Sequence, residues 1–430
     1  MTSTNTLTQA SGLLIVALVL AAPAGATPSS SGTIPAPPGG ARFAFEGGSD
    51  EKETYPEWNE FKGNRFRLYG FPRLDLIYTD SRLFPNNQFP FWVVSEDPTV
   101  QPKDNDEELD THARLTRLGV EILRDSIPRW ESARLTGKIE IDFQNGGSES
   151  REAVRMRHAY LKVQDECGFS ILAGQTWDTI SPLYPSVNSD SLMWNAGNLG
   201  DRRPQLRFGY ETPTSGAGSM LIELAVARQG AINNRDLDGD GTADGIDSGK
   251  PQLQGRAGLI KVSDCIDAGV WGLYGWDDVD TRIGGENQFI TSGIGADVKV
   301  GVSETVTLAG EIWAGRNLDD ARGGIGQGVN VVTGEEIHSR GGWAEVKIKL
   351  APAYTVAAGF TIDNPSDTEI DATTSGGARE KNRALYLSNH FDLGGGLKAG
   401  LEYINWRTTY ANGLDAGDAN RVNFWTSWTF

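Results

Sequence analysis

The sequence predicts an all-β protein: a transmembrane antiparallel β-barrel of about sixteen strands, with short periplasmic turns and long extracellular loops. Three observations predict it. The chain ends "RVNFWTSWTF", where Val422, Phe424, Trp428 and Phe430 share one strand face and Arg421, Asn423, Trp425, Ser427 and Thr429 share the other. Many earlier segments alternate in the same way. Between them, short turns and long loops take turns along the chain. A terminal strand with bare aromatic groups on one face suits lipid on that face better than water.

The elements follow in order. Leu13 to Ala22 is an apolar run too short to span a bilayer as a helix, followed by small residues at Ala24 and Ala26. It reads as a signal peptide over 1–26, which makes this an exported chain with an expected place in the outer membrane. Residues 27–60, rich in Pro, Ser and Gly, read as a flexible leader. The barrel is expected over 61–430. Hydrophobic residues make up only 38% and mean hydropathy is −0.37, so a helical membrane protein is excluded. Two cysteines in an exported chain argue against a disulfide framework. A net charge of −18 excludes nucleic acid as a partner.

From Arg65 onward the alternation begins. "RFRLYGFPRLDLIYT" sets Phe66, Leu68, Leu74, Leu76 and Tyr78 against Arg65, Arg67, Arg73 and Asp75. "ARLTGKIEIDFQ" sets Leu135, Ile139, Ile141 and Phe143 against Arg134, Lys138, Glu140 and Asp142. About sixteen such segments, each about 9 to 14 residues, are long enough to cross a bilayer as tilted strands. Short turns such as "DEC", "SDC", "LAPA" and "DLGGG" alternate with longer loops. Alternation alone also fits a soluble many-stranded protein. The loop rhythm, the export signal and the terminal Phe430 favour the barrel and outer-membrane lipid as its surroundings.

"RLYGFPRLDLIYTD" (67–80), "LTGKIEIDF" (135–143), "RMRHAYLKV" (155–163), "LAGQTW" (172–177) and "RRPQLRFGY" (202–210) together resemble the DcaP-like group of outer-membrane porins. The resemblance implies a sixteen-stranded homotrimer that admits small anionic solutes, dicarboxylates among them. Three features lie outside that pattern: the Pro-rich leader, the "DLDGDG" loop and the two cysteines.

A pore selects by width and by the charges on its lining. The third long loop, Asp178 to Asp201, stands where porins fold a loop inward. It carries Pro182, Leu183, Tyr184, Pro185, Met193 and Trp194, more apolar surface than a solvent-washed loop needs. Asp178, Tyr184, Asp190, Trp194 and Asp201 are its candidate constriction residues; packing on a neighbouring subunit is the alternative. On the inward parity fall Arg73, Arg117, Arg134, Lys138, Arg155, Arg157, Arg207 and Arg256, with Asp75, Glu121, Glu140 and Asp142 among them. Any one inward charge is ordinary in a wet pore. As a group they read as a basic wall offering guanidinium donors to carboxylate or phosphate, faced by an acidic loop.

His112, His158, His338 and His390 have no partner at metal-ligand spacing, and no motif marks a catalytic site, so no enzyme and no required cofactor are expected. Cys167 and Cys265 sit in separate short turns, too far apart around a barrel to pair. Asp236, Asp238, Asp240, Thr242, Asp244 and Asp247 fall at positions 1, 3, 5, 7, 9 and 12 of an EF-hand-like loop, with Gly241 at position 6, so Ca²⁺ is the ion to expect there. An acidic, solvated loop is the plain alternative. The expected function is a passive channel for small hydrophilic, anionic solutes. A phosphate-selective channel and a plugged structural or adhesive barrel are the competing readings.

Overall fold

In the strand Arg73–Thr79, Leu74, Leu76 and Tyr78 are exposed, while Arg73, Asp75, Ile77 and Thr79 are buried. Successive strand side chains point to opposite faces, so the charges go to one side of the sheet and the leucines to the other. The end of the chain repeats this: Val422, Phe424, Trp428 and Phe430 are exposed, and Arg421, Asn423 and Trp425 are buried. These facts come from a computed structural model that describes residues 58–100, 106–148, 151–187, 191–262, 265–371 and 377–430. The expected signal peptide and nearly all of the leader lie outside the described residues.

One antiparallel sheet holds nineteen strands. They are β1 (Asn59–Phe61), β2 (Asn64–Phe71), β3 (Arg73–Thr79), β4 (Glu108–His112), β5 (Arg117–Arg124), β6 (Ala133–Asp142), β7 (Arg155–Asp165), β8 (Phe169–Trp177), β9 (Arg202–Pro213) and β10 (Ser219–Ala227). After these come β11 (Gln252–Val262), β12 (Ile266–Ile283), β13 (Glu286–Gly301), β14 (Val306–Arg316), β15 (His338–Ala351), β16 (Tyr354–Pro365), β17 (Arg379–Gly394), β18 (Leu397–Tyr410) and β19 (Gly417–Trp428). From β5 onward each strand pairs with the next. β19 then pairs with β3, placing Ser427 opposite Arg73 and Arg421 opposite Thr79. β3 pairs with β4, and β2 with β5.

The count of nineteen corrects the expected sixteen, and the reason is local. β2 and β3 are parted at Pro72, which has no N–H to give the ladder. β4 and β5 are parted by a turn in which Thr116 N–H donates to the Ala113 carbonyl at 3.0 Å. β1 folds back on β2 through Lys62 and Gly63, both at positive φ (52° and 74°). Asn59 and Glu60, assigned from sequence to the leader, therefore belong to the sheet. A second difference concerns β12 and β13. They run 18 and 16 residues and meet at Gly284–Gly285, so a tight hairpin stands where the loop rhythm called for a long loop. Both glycines have positive φ (59° and 100°), as a two-residue hairpin turn requires.

The apolar clusters form between inward-folded loops and the charged face of the sheet. Leu83 and Val93 from the first long loop and Val187, Met193 and Ala196 from the third pack on Ala384, Tyr386, Ile404, Trp406 and Ala419. Ile180 and Leu199 of the third loop, with Leu318 and Ala321 of the connection after β14, pack on Trp271, Leu273 and Trp313. Among the described residues no helix is long and apolar enough to cross a membrane.

Candidate functional site

The connection between β8 and β9 folds onto the charged face of the sheet. Its ends lie side by side, with Asp178 N–H on the Asp201 carbonyl at 2.9 Å and Asp201 N–H on Asp178 Oδ2 at 3.1 Å. From there it crosses to β14–β17. Ser181 Oγ donates to Glu311 Oε2, and Leu183 N–H donates to Glu311 Oε1 at 2.8 Å. Ser186 donates its N–H (2.6 Å) and its hydroxyl (2.7 Å) to Glu345. Trp313 Nε1 donates to the Gly197 carbonyl at 2.7 Å, and Asn382 Nδ2 to the Asn195 carbonyl at 2.8 Å. Trp194 is buried, edge-on to Phe89, and Tyr184 lies against Trp177. Burial and the nearby Glu311 carboxylate hold the Tyr184 hydroxyl well above its usual pKa. Leu192, Met193 and Asn195 all have positive φ (52°, 60° and 58°), a conformation that persists only where packing fixes it. Asp190 lies outside the described residues.

Beside this loop six cations converge on three carboxylates. Arg157 Nε donates to Glu140 Oε1 at 2.7 Å and its Nη1 to Asp142 Oδ2 at 3.0 Å. Arg155 grips Asp142 with two bonds of 2.9 and 2.6 Å. Lys138 Nζ stands 3.4 Å from Glu140. Arg202 and Arg322 share Asp201, at 3.3 and 3.0 Å. Burial drives the Asp201 carboxyl's pKa up, but Arg322 and Arg202 outweigh it and hold the value low. Aromatic faces back the guanidinium groups: Arg202 lies over Trp177 at 4.4 Å, Arg155 over Phe89 at 5.8 Å, and Arg322 over Phe91 and Trp194 at 5.1 and 5.0 Å. Such stacking adds electrostatic attraction and fixes the planar groups in place.

The remaining members of the expected wall are placed as follows. Arg117 is the sixth cation of the cluster, 3.6 Å from Glu140 and over the Phe71 ring. Arg73 pairs with Asp75 at 2.6 Å and stacks on Trp425. Arg207 pairs with Glu223 at 3.3 Å and donates to the Trp177 carbonyl, and Arg256 pairs with Asp297 at 2.7 Å. Arg134 is near the short turn before β6, 3.8 Å from Asp125, away from the other arginines. The described acids of the loop do not stand as a separate negative rim opposite a basic wall. Asp201 takes Arg202 and Arg322, and Asp178 takes Arg203, because a carboxylate shut away from water needs a cation.

Three of these residues carry no role in the sequence reading. Arg203 is fully buried and bridges Asp178 and Asp320, each at 2.7 Å, tying the third loop to the connection after β14. Its parity with Gln205 and Arg207 already marked it as inward. Arg202 sits at a strand start, where alternation is a weak guide. Arg322 belongs to a loop, where no periodicity points to an inward position.

The acidic loop between β10 and β11 is ordered from within. Asp236 accepts N–H groups from Gly239, Asp240 and Gly241 at 2.7, 3.2 and 2.9 Å. Carboxylate oxygens of Asp236, Asp238 and Asp244 lie within 4.8 Å of one another. Asp240, Thr242 and Asp247, expected with them, are not in that group. Asp240 is turned to accept the Thr242 N–H at 2.7 Å, and Asp247 lies on the one-turn helix α1 (Asp244–Asp247). Burial pushes the Asp244 carboxyl up to about 6, with the Leu237 N–H and Arg235 pulling it down. The Thr281 N–H holds Asp238 below the usual range.

No family model matches the chain, and no curated protein matches it. Solved structures do. The outer-membrane channel DcaP of Acinetobacter baumannii is 18% identical with a TM-score of 0.70, covering 87% of this chain and all of that one. An anion-selective porin from Comamonas acidovorans is 11% identical with a TM-score of 0.54, over 85% of this chain and all of its own. OmpT of Vibrio cholerae, solved in a trimer form, is 13% identical with a TM-score of 0.53, over 86% of this chain and all of its own. The chain therefore has the fold of the outer-membrane porins.

Proposed function

We propose that this protein is a DcaP-like porin: a closed outer-membrane barrel that lets small hydrophilic solutes diffuse through, with a preference for anions. The observation that carries the membrane reading is the inverted sheet. Water would expose leucines such as Leu74, Leu76 and Leu401 at a cost of about 25 cal/mol for each Å² left wet, whereas lipid exacts no such cost. The pairing of β19 with β3 supports closure, since lipid tolerates no unpaired sheet edge.

The preference for anions rests on the surplus beside the third loop, six cations to three carboxylates. Three of the six keep the most side-chain surface accessible, Lys138 at 23% and Arg155 and Arg322 at 19%, and can meet a passing carboxylate or phosphate. The trimer form of OmpT supports self-association as a homotrimer. The refolded protein in a planar bilayer should give stable conductance steps, in threes. Chloride current should be blocked by succinate more strongly than by phosphate; the reverse order favours a phosphate channel. A plugged barrel is the second reading, because three separate loops pack against the inner face. Silence after repeated insertions of folded protein would establish it in place of the channel.

A further inference from the structure

We propose that the loop between β10 and β11 holds one calcium ion through the carboxylates of Asp236, Asp238 and Asp244, and that the ion fastens this loop to the β12–β13 hairpin. Three carboxylate oxygens converging within 4.8 Å would alone be an ordinary acidic cluster. The second observation concerns what satisfies them. Asp244 is only 1% exposed, and its Oδ2 accepts no hydrogen bond. Asp238 Oδ1 and Asp247 Oδ2 are likewise shut off from solvent with no hydrogen-bond donor. A buried polar atom is normally paired, and two carboxylate oxygens with no donor, beside a third met only by a shared arginine, point to an ion among them. Arg235 Nε stands 3.4 Å from Asp244 Oδ2, but that guanidinium also serves Asp319 at 2.7 Å and Asp277 at 3.7 Å. Asp247 itself faces the charges of Asp240, Asp280, Asp238 and Asp236. One arginine does not balance this group.

The chemistry selects the ion. All the donors are carboxylates, hard oxygen ligands, with no His or Cys among them to favour zinc. They sit on an irregular loop of the kind calcium accepts and magnesium, with its strict octahedron and tightly held waters, does not. The place of the site gives its consequence. Asp238 accepts the Thr281 N–H of β12 through Oδ2 at 2.7 Å, and Leu237 packs with Val279 and Phe289. An ion between Asp236, Asp238 and Asp244 would link the loop's first turn, its helix α1 and the hairpin. Without it, mutual repulsion among the acids works against that link.

The test uses the full chain refolded in detergent and stripped with a chelator, titrated with calcium chloride by calorimetry. One ion per chain is expected, with Kd on the order of 10⁻⁴ to 10⁻³ M, the range of weak extracellular sites. The double variant Asp238→Asn, Asp244→Asn removes charge while its amide oxygens can still accept the Thr281 and Leu237 N–H groups. It should weaken binding by about tenfold or more, whereas Asp240→Asn should retain a larger share of the wild-type affinity. Magnesium at about 10 mM should leave wild-type calcium binding in place. No binding by the wild type at ~10 mM calcium would overturn the proposal. So would equal binding by the double variant, or displacement by magnesium at equal concentration.

Discussion

Replacing Arg155 and Arg322 together by Gln should sharply reduce the proposed preference for anions while leaving the pore standing. The structure sets the arithmetic. Arg117, Lys138, Arg155, Arg157, Arg202 and Arg322 surround Glu140, Asp142 and Asp201, six positive charges to three negative. Removing two cations leaves four against three. The choice of these two matters, because each carboxylate keeps a partner. Asp142 keeps Arg157 at 3.0 Å, Asp201 keeps Arg202 at 3.3 Å, and Glu140 keeps Arg157 at 2.7 Å. No buried charge is left unpaired, so the large destabilisation that follows a half-broken buried pair does not arise.

A solute charge passing about 4 Å from a unit charge in water gains about 1 kcal/mol. Two such charges give about 2 kcal/mol, or about a thirtyfold change in the local partition of anions. This is an upper figure for low salt. At 1 M salt the screening length falls to about 3 Å, and most of the difference should vanish. The assay is the reversal potential across a planar bilayer under a potassium chloride gradient, at low and at high salt. The double variant should move toward zero selectivity at low salt only. An unchanged reversal potential at low salt, with native conductance, would refute the placement of the surplus charge in the conduction path.

Arg203→Met should leave Asp178 and Asp320 buried without their shared cation and cost about 3–5 kcal/mol; a lower temperature for the heat-modifiability transition would report it, and adding Asp178→Asn and Asp320→Asn should restore much of the loss. Trp194→Ala should remove about 3–5 kcal/mol of packing from the third loop, read as increased open-channel noise in single-channel records, and a trace as quiet as wild type would mean that the loop is held without it. Ile294→Arg, on the outer face of β13 at 72% exposure, should lower folding stability in lipid vesicles by about 2–4 kcal/mol; no loss would mean that this face does not meet lipid. Cys167 and Cys265 are both free and exposed, so the denatured, unreduced chain should titrate with two thiols, and none would mean a disulfide.

The sheet was the most legible part of the chain because period-two alternation is a local property. Parity alone placed Leu74, Leu76, Val422 and Phe424 outward and Arg73, Asp75, Arg155 and Arg157 inward, as they stand in the structure. It failed where the backbone breaks its own period. Pro72 and the turn at 113–116 split two passages, and the bulge between Met156 and His158 shifts the register within β7. Loop rhythm misled at Gly284–Gly285, since a two-glycine hairpin lets strands continue where a loop was expected.

The charge balance of the site was hidden for a different reason. Each inward arginine could be named from its own strand, but the charge it contributes depends on a partner that alternation does not locate. Arg256 meets Asp297 from two strands along, and Arg203 meets Asp320 from a loop 117 residues away. Those two guanidinium groups are largely neutralised and serve to hold the interior together. Arg322, from the same loop, joins Arg202 on a single carboxylate, and there the charge does not cancel. The proposed preference for anions thus rests on an imbalance across β6, β7, β9 and two loops, which no single segment carries. Counting inward arginines therefore overstates the field at the constriction, and the shared carboxylates Glu140, Asp142 and Asp201 determine how much of it remains.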